Sequence, residues 1–540
     1  MTTAQVLART LRAAGITRMF GLPGGEILDF MEAARAEGIQ FLLTRHEATA
    51  SLMADVTGQI QRTPGVCVAT LGPGAVNMTL GVANAYLDRS PLIAITATLA
   101  RGNLGIATHQ DLDLNAVYRP FTKLAITLDG EDTEAKVRQA IAATMAPRMG
   151  PVHIALPSDV ARAEDRVAGK ATAAVSTWRI EPQLEQVLPA LVGTIRSAKR
   201  PIVILGLDLN PRTDPPAVRR FVEALNVPVF VTPKAKGMLP EDHPLFYGVC
   251  AGVSGDAVVL GLFNKADLLI GVGFEPVESD KVWHHTMKMV SIGPISIATA
   301  RFTPIVEAVG DVDTILRGVE ASRPGPFAWT PDDRVQFRSE LEGVLRPAGP
   351  TRGLSGYELT LKLRELCPHE TIFTTDVGSV KMVTSQAWTC YEPLTFFESN
   401  GLSTMSYSFA AAMAARLQFP YRPVVCTIGD GGFGMTLSDL ETCVREGIHF
   451  VTVVFNDSSL SLIDAAQVRR GYPTLGVRYG AIDFAAAAAG FGVWSRRVET
   501  MADLESAMRE AQHLNSPAVI DVVVDPTEYH AHTKVNRAIG

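Results

Sequence analysis

Short apolar runs alternate with stretches whose apolar residues recur at helical spacing, and this alternation covers nearly the whole chain. Near the start, Arg18-Met19-Phe20, Val66-Cys67-Val68-Ala69-Thr70, Leu92-Ile93-Ala94-Ile95-Thr96 and Val152-His153-Ile154-Ala155-Leu156 read as strands. Further on, Pro201-Ile202-Val203-Ile204-Leu205, Val227-Pro228-Val229-Phe230 and Leu268-Leu269-Ile270-Gly271-Val272 do the same. Strands separated by helices imply parallel, doubly wound sheets. An Ala/Thr/Ser-rich aperiodic stretch over 166–187 reads as a linker, and a second connection runs from Ser322-Arg323-Pro324 to Arg346-Pro347 and on to Pro350. The expected fold is therefore α/β, with three doubly wound parallel-sheet domains over 1–165, 188–325 and 353–530. No sequence repeat is evident, although the first and third regions share this architecture. Ile482 to Gly490 reads as a helix.

The third region carries the first chemical signal. After the apolar run Pro423–Ile428 come Gly429-Asp430-Gly431-Gly432, then a helical pattern from Met435 to Gly447 and a second apolar run, Phe450 to Phe455. Asp457 follows 27 residues after Asp430. Two carboxylates thus leave the ends of two parallel strands, where α/β sheets place ligands. Glycines let the backbone approach phosphate oxygens, and the aspartates suit a hard cation. A plain βαβ unit with a glycine turn and two solvated aspartates is the competing reading.

Composition narrows the partners. The chain has 540 residues, 47% hydrophobic and 19% charged, with a net charge of −7. That length implies several domains. No basic patch argues for nucleic acid, and no apolar run reaches a membrane span. The opening Met1-Thr2-Thr3-Ala4-Gln5 reads as an amphipathic helix rather than a signal peptide. The six cysteines form no C-x-x-C pair, which suits buried thiols in a cytoplasmic protein. His284-His285 and His530/His532 have no transition-metal frame.

In the first region, Ile39–Leu43 leads into Thr44-Arg45-His46-Glu47, with Glu47 opening a helix that continues through Met53 to Ile60. Next come Gly72-Pro73-Gly74-Ala75-Val76-Asn77 and Thr108-His109-Gln110. In order, Gly21-Leu22-Pro23-Gly24-Gly25, Arg45-His46-Glu47, Gly72-Pro73-Gly74 with Asn77, and Gly429-Asp430-Gly431 with Asn456-Asp457 resemble the acetolactate synthase-like superfamily of thiamine-diphosphate enzymes. The resemblance spans essentially the whole chain. It implies a pyrimidine-binding, a middle and a diphosphate-binding domain, with thiamine diphosphate and Mg²⁺ as cofactors. By that resemblance Glu47 hydrogen-bonds N1′ of the aminopyrimidine and so activates thiazolium C2 toward a 2-oxo carbonyl. Met405 props the cofactor into its bent form, while Ser403 and Met435 offer backbone contacts to the pyrimidine. Val377-Gly378-Ser379 contacts the diphosphate, with Gly431 and Gly432. Asp430, Asp457 and the Ser459 carbonyl hold the metal. Gly72 and Asn77 belong to the cofactor-binding set.

Three departures bear on the reaction. Where acetohydroxyacid synthases clamp the acceptor carboxylate with an arginine, this chain has Gly273, and losing such a charged hydrogen bond costs roughly 1.5–3 kcal/mol. Their acceptor-selecting tryptophan aligns with Ala466, which widens the pocket there. Their Phe-Gln pair aligns with His109-Gln110, and a histidine there can move a proton at the reacting carbon. Gly25 stands where pyruvate decarboxylases carry aspartate. Ser461, Ala465, Ala466 and the C-terminal segment line the remaining pocket.

The first reading is non-oxidative decarboxylation of a 2-oxo acid. The alternative is acetolactate synthase-type carboligation, and a further one is a 2-hydroxyacyl-CoA lyase. Glu47, Asp430 and Asp457, all present, argue against a non-catalytic paralogue. FAD or ADP is possible in the middle domain but not expected, because that domain has no clear Gly-x-Gly-x-x-Gly run. The resemblance implies a homodimer as the minimum active unit, paired into a homotetramer. The tail Thr527–His532 either closes over the site or is a solvated end.

Overall fold

The computed structural model describes residues 1–540 except 62, 107, 169–183, 210–212, 280–287, 301, 347–352 and 533–540, and leaves out the side chains of 184, 185, 530 and 531. Most of the expected linker, the end of the second connection and the His284-His285 pair therefore lie outside the described residues.

Three six-stranded sheets form, every neighbouring pair parallel. The first has β1 (Arg18–Leu22), β2 (Gln40–Leu43), β3 (Gly65–Ala69), β4 (Leu92–Thr98), β5 (Leu124–Thr127) and β6 (Val152–Pro157), in the order β2-β1-β3-β4-β6-β5. The second has β7 (Pro201–Leu205), β8 (Val229–Val231), β9 (Phe246–Val249), β10 (Leu268–Val272), β11 (Met289–Gly293) and β12 (Val306–Val309), in the order β12-β11-β10-β7-β8-β9. The third has β13 (Ile372–Thr375), β14 (Phe396–Phe397), β15 (Val424–Gly429), β16 (Val451–Asn456), β17 (Trp494–Val498) and β18 (Ala518–Val523), in the order β14-β13-β15-β16-β18-β17. The first and third are wired identically. Central strands such as β3, β7 and β16 are buried along their whole length. Helices cover both faces of such sheets, which is why these strands read as continuous apolar runs.

The chain divides into two compact units. One comprises Met1–Trp178 with Gly401–Gln418 and Ser438–Glu446; the other comprises Arg179–Asn400, Phe419–Leu437 and Gly447–Gly540. Two pieces of the third region thus belong with the first sheet. Within the first unit, the helix Tyr407–Gln418 packs on the helix Glu47–Ile60, and Gln59 Nε2 donates to the Tyr407 hydroxyl at 3.2 Å. In the second unit, Phe230, Tyr247 and Phe263 share one core cluster with Phe337, Leu341, Val383 and Tyr529. The middle and third regions therefore fold around common apolar ground.

The expected helix from Met435 to Gly447 needs correction. The helix begins at Asp430, runs to Thr436, tightens into a 3₁₀ turn at Leu437–Asp439 and resumes over Leu440–Glu446. Gly431, Gly432 and Gly434 are helical, not a turn. Glycine is a poor helix former, but a Cβ on Gly432 would lie 2.1 Å from Asp376 Oδ2, so close packing overrides propensity. The later helix spans Phe484–Ala489, with Asp483 capping Ala486 N at 2.8 Å. All six cysteines are buried and none is in a disulfide. No described helix is long and apolar enough to cross a membrane. The tail is packed rather than solvated: Tyr529 and His532 are buried, and Glu528 accepts from the Ser355 hydroxyl at 2.7 Å.

Candidate functional site

The third sheet reverses direction between β13 and β15, from which successive connections run to opposite sides. Such switch points are the ligand crevices of open α/β sheets. A helix starts at each strand end, Ser379–Ala387 after β13 and Asp430–Thr436 after β15. Gly378 caps the first at φ 120°, and a Cβ there would meet nothing within 4 Å. A positive φ beside open space and a helix N-terminus suits a phosphate. Val377 and Ser379 flank it, both half-buried.

Strand register brings the two aspartates together. Gly429 pairs with Phe455, so β15 and β16 release Asp430 and Asp457 side by side. Asp430 Oδ2 accepts Ser458 N at 2.6 Å, while Oδ1 accepts Gly431 N at 2.7 Å and the Tyr479 hydroxyl at 2.6 Å. Asp457 accepts Ser459 N at 2.9 Å and the Ser461 hydroxyl at 2.6 Å. Burial pushes the Asp430 carboxyl up from the usual range, and its Tyr479, Ser458 and Gly431 donors oppose that. Burial also raises the Tyr479 phenol, helped by Asp430. Ser459 Oγ is buried without a hydrogen-bond partner. Among the described residues no group of three or more His, Cys, Asp or Glu could hold a metal. Two carboxylates and a backbone carbonyl are what Mg²⁺ takes when phosphate oxygens and water complete its shell. These residues fit Mg²⁺ and a diphosphate. Met435, on the same helix, is 64% exposed.

The first sheet has its switch point between β1 and β3. Gly25 follows β1 in a 3₁₀ turn, with open space where a Cβ would stand. Gly72 follows β3 at φ 64°, and Gln110 lies against it: a Cβ there would meet Gln110 Nε2 at 2.9 Å. Glu47 opens the helix Glu47–Ile60 and is 4% exposed. Its Oε2 accepts Asn77 Nδ2 at 3.1 Å, and a Cβ on Gly74 would sit 3.0 Å from Oε1. The Gly-Pro-Gly-x-x-Asn segment thus wraps Glu47, one glycine making room and the asparagine holding the carboxylate. The loop with Ser403 and Met405 is tied down where Gly401 N donates to Asp88 Oδ1 at 2.8 Å. Ser403 is exposed at φ 57° and Met405 half-buried. His109 is exposed, unlike the buried Glu47. Its neighbour Gln110 reaches Gly72, but no described contact links His109 to Glu47 or Asn77.

The second sheet places two further residues. Gly273 lies at φ 61°, and a Cβ there would come within 2.7 Å of Leu209 Cγ. No side chain fits, so the arginine of the synthases has no counterpart at this position. At the switch point between β7 and β10, a nucleotide phosphate would seek the free N–H groups of the turn after β7. The Leu207 N–H is already bonded, at 2.8 Å, to Oε2 of buried Glu278. Burial pushes this carboxyl up to about 8. The described residues do not fit a flavin or adenine dinucleotide diphosphate at this turn. Ala465 is buried and Ala466 half-buried on the helix Ser461–Arg469, whose Asp464 holds Thr474 at 2.8 Å.

Sequence reasoning missed Tyr479, Asp376, Asp439 and Glu278. Tyr479 sits in an aperiodic loop and gave no signal. Asp439 places a carboxylate on a helical face beside Leu440 and Cys443, and that is the available clue.

The first sheet carries a buried glutamate, and the identically wired third sheet carries a pair of aspartates and a positive-φ glycine at a helix start, which is what a thiamine-diphosphate enzyme needs. Family models agree: "Thiamine pyrophosphate enzyme, N-terminal TPP binding domain" matches residues 1–117, the central domain 188–319, and the C-terminal TPP binding domain 376–522. The chain belongs to the acetolactate synthase-like superfamily of thiamine-diphosphate-dependent enzymes. It is 29% identical to the "Acetolactate synthase" of Bacillus subtilis over 97% of this chain and 93% of that protein. It is 30% identical to the "Probable acetolactate synthase large subunit" of Methanocaldococcus jannaschii, over 98% and 93% respectively. The "Acetolactate synthase, catabolic" of Raoultella terrigena is 27% identical over 97% and 95%.

Proposed function

We propose that this enzyme joins two 2-oxo acids in an acetolactate synthase-type carboligation, with Mg²⁺ bound at Asp430 and Asp457. The observation that carries this reading is the end-to-end similarity to proteins named acetolactate synthase. It displaces simple decarboxylation as the leading reading.

Bound thiamine diphosphate supplies the carbon nucleophile that lets a 2-oxo acid lose CO₂. Glu47, held by Asn77 and shielded from water, is the carboxyl that receives the pyrimidine ring. Asp430, Asp457 and the Ser459 carbonyl orient the metal and diphosphate, with Gly378 and Ser379 as backbone donors. Gly25 leaves space beside the reacting groups. Gln110, leaning on Gly72, is the polar side chain at the acceptor side. Gly273 provides no carboxylate clamp, so the acceptor carboxylate is held elsewhere. This same feature, with Ala466, supports decarboxylation as the second reading. The active unit is a homodimer paired into a tetramer, and the middle domain works without flavin.

The test is incubation with single and paired 2-oxo acids, thiamine diphosphate and Mg²⁺, scored for CO₂, aldehyde and 2-hydroxy-2-alkyl-3-oxo acid. Ligated product is expected, and aldehyde alone restores decarboxylation. No turnover of any 2-oxo acid points to the acyl-CoA lyase reading. Light scattering showing an active monomer would overturn the dimer.

A further inference from the structure

We propose that Asp439 is a positioning residue for Glu47, acting with Arg445 as an external clamp on the turn that presents the glutamate. The inference rests on Glu47 being the carboxyl that activates the cofactor.

Glu47 is the first residue of its helix, and helix starts fray unless their amides are bonded. The local cap is weak: His46 Nδ1 accepts Ala48 N at 3.1 Å, in place of the hydroxyl or carboxylate that caps best. The segment Ser438–Glu446, from the same compact unit, supplies what the turn lacks. Asp439 Oδ1 accepts Arg45 N at 2.8 Å, and its Oδ2 accepts the Thr49 hydroxyl at 2.7 Å. These grips fall two residues before and two residues after Glu47. A third comes from Arg445, whose Nη2 donates to the carbonyl of Leu43, the last residue of β2, at 2.7 Å. The clamp is itself rigid. Thr442 Oγ1 donates to Asp439 Oδ1 at 3.0 Å, and Glu441 holds Arg445 Nε at 2.9 Å. Asp439 is 1% exposed.

No described contact joins Asp439 to the Glu47 carboxylate, so its effect runs through the backbone. Among the described residues, Asn77 and the space over Gly74 stand directly at the carboxylate. Those fix where the oxygens point only if the helix start stays still, and displacements near 1 Å at a reacting group cost on the order of a hundredfold.

The experiment compares Asp439→Ala, Asp439→Asn and Thr49→Ala with the parent. In the cofactor-free protein, backbone amide hydrogen exchange over 44–50 is read by mass spectrometry. With thiamine diphosphate and Mg²⁺ bound, exchange of the thiazolium C2 proton and cofactor affinity are read. For Asp439→Ala, amide exchange rises about tenfold and C2 exchange slows about thirtyfold, while affinity changes by less than about threefold. Asp439→Asn, which keeps one acceptor oxygen, falls between Ala and parent. Thr49→Ala slows C2 exchange about threefold, and these two milder variants decide the matter if Asp439→Ala does not fold. Unchanged amide and C2 exchange in folded variants overturns the clamp. Glu47→Gln serves as the control: if its C2 exchange equals the parent's, the role of Glu47 is wrong, whatever Asp439 does.

Discussion

The first and third sheets have the same strand order and the same kind of crevice, yet they hold charge differently. In the first, the carboxylate follows the outer strand β2: Glu47 is buried and its described partner is a neutral amide, Asn77. In the third, the corresponding outer strand β14 is followed by Glu398, also buried, but facing Lys381 Nζ at 3.1 Å and accepting the Ser385 hydroxyl at 2.6 Å. Conversely, the two strands that end in Asp430 and Asp457 correspond to β3 and β4, which end in no carboxylate. Topology thus provides equivalent places for charge, and local pairing decides which become chemical. A carboxylate matched to lysine is structural, whereas one matched to an amide or to backbone N–H groups keeps capacity for a ligand.

Breaking the proposed cation site should have the largest effect. Asp430→Ala removes one of two carboxylates, and Mg²⁺-dependent cofactor affinity should fall about a thousandfold by titration calorimetry. Binding equal to the parent's would move the metal elsewhere. Next comes the structural glutamate's partner: Lys381→Met strands a buried charge and should cost about 3–5 kcal/mol in denaturant unfolding. A neutral result would erase the contrast between Glu398 and Glu47. Glu47→Gln should lower turnover about a hundredfold while unfolding and cofactor affinity stay near the parent's.

The smallest effect concerns Glu278. Its carboxyl has a folded pKa of about 8, raised by burial above the unfolded value. The folded chain therefore holds a proton that the unfolded chain gives up, and stability falls as pH rises from about 4.5 to 8. Glu278→Gln should raise the melting temperature by a few degrees at pH 8.5 and leave it nearly unchanged at pH 5. Equal shifts at both pH values would show that the group is not protonated when folded.

Much of this was legible from sequence, for identifiable reasons. Strands β7 and β10 match their apolar runs to the residue, because both faces are buried and nothing dilutes the signal. The helix Glu47–Ile60 was equally plain. The two-residue β14 was not, since a strand that short carries no period. The helix beginning at Asp430 was read as a turn, because glycine frequency reports freedom and the contact with Asp376 is invisible in one dimension. Asp430 and Asp457 could be singled out because they follow two apolar runs joined by a helical stretch, whereas Gly25, Gly72 and Gly378 came only with the family resemblance; the structure puts those three glycines a few residues after β1, β3 and β13. His109 could not be judged, since a residue letter carries no exposure. Tyr479 and Asp439 act through partners 49 and 390–394 residues away, distances over which local patterning is silent.

The return of residues 401–418 and 438–446 to the first unit has a consequence for the protein's birth. The helix Glu47–Ile60 buries most of its length, partly under the helix Tyr407–Gln418. At ribosomal speed that cover emerges roughly tens of seconds after the first sheet is complete. Until then the nascent chain exposes an apolar helix face, and the turn bearing Glu47 has neither Asp439 nor Arg445 to hold it. The first sheet is made early, but the end that bears Glu47 is finished late, by a segment synthesised just after the helix Asp430–Thr436.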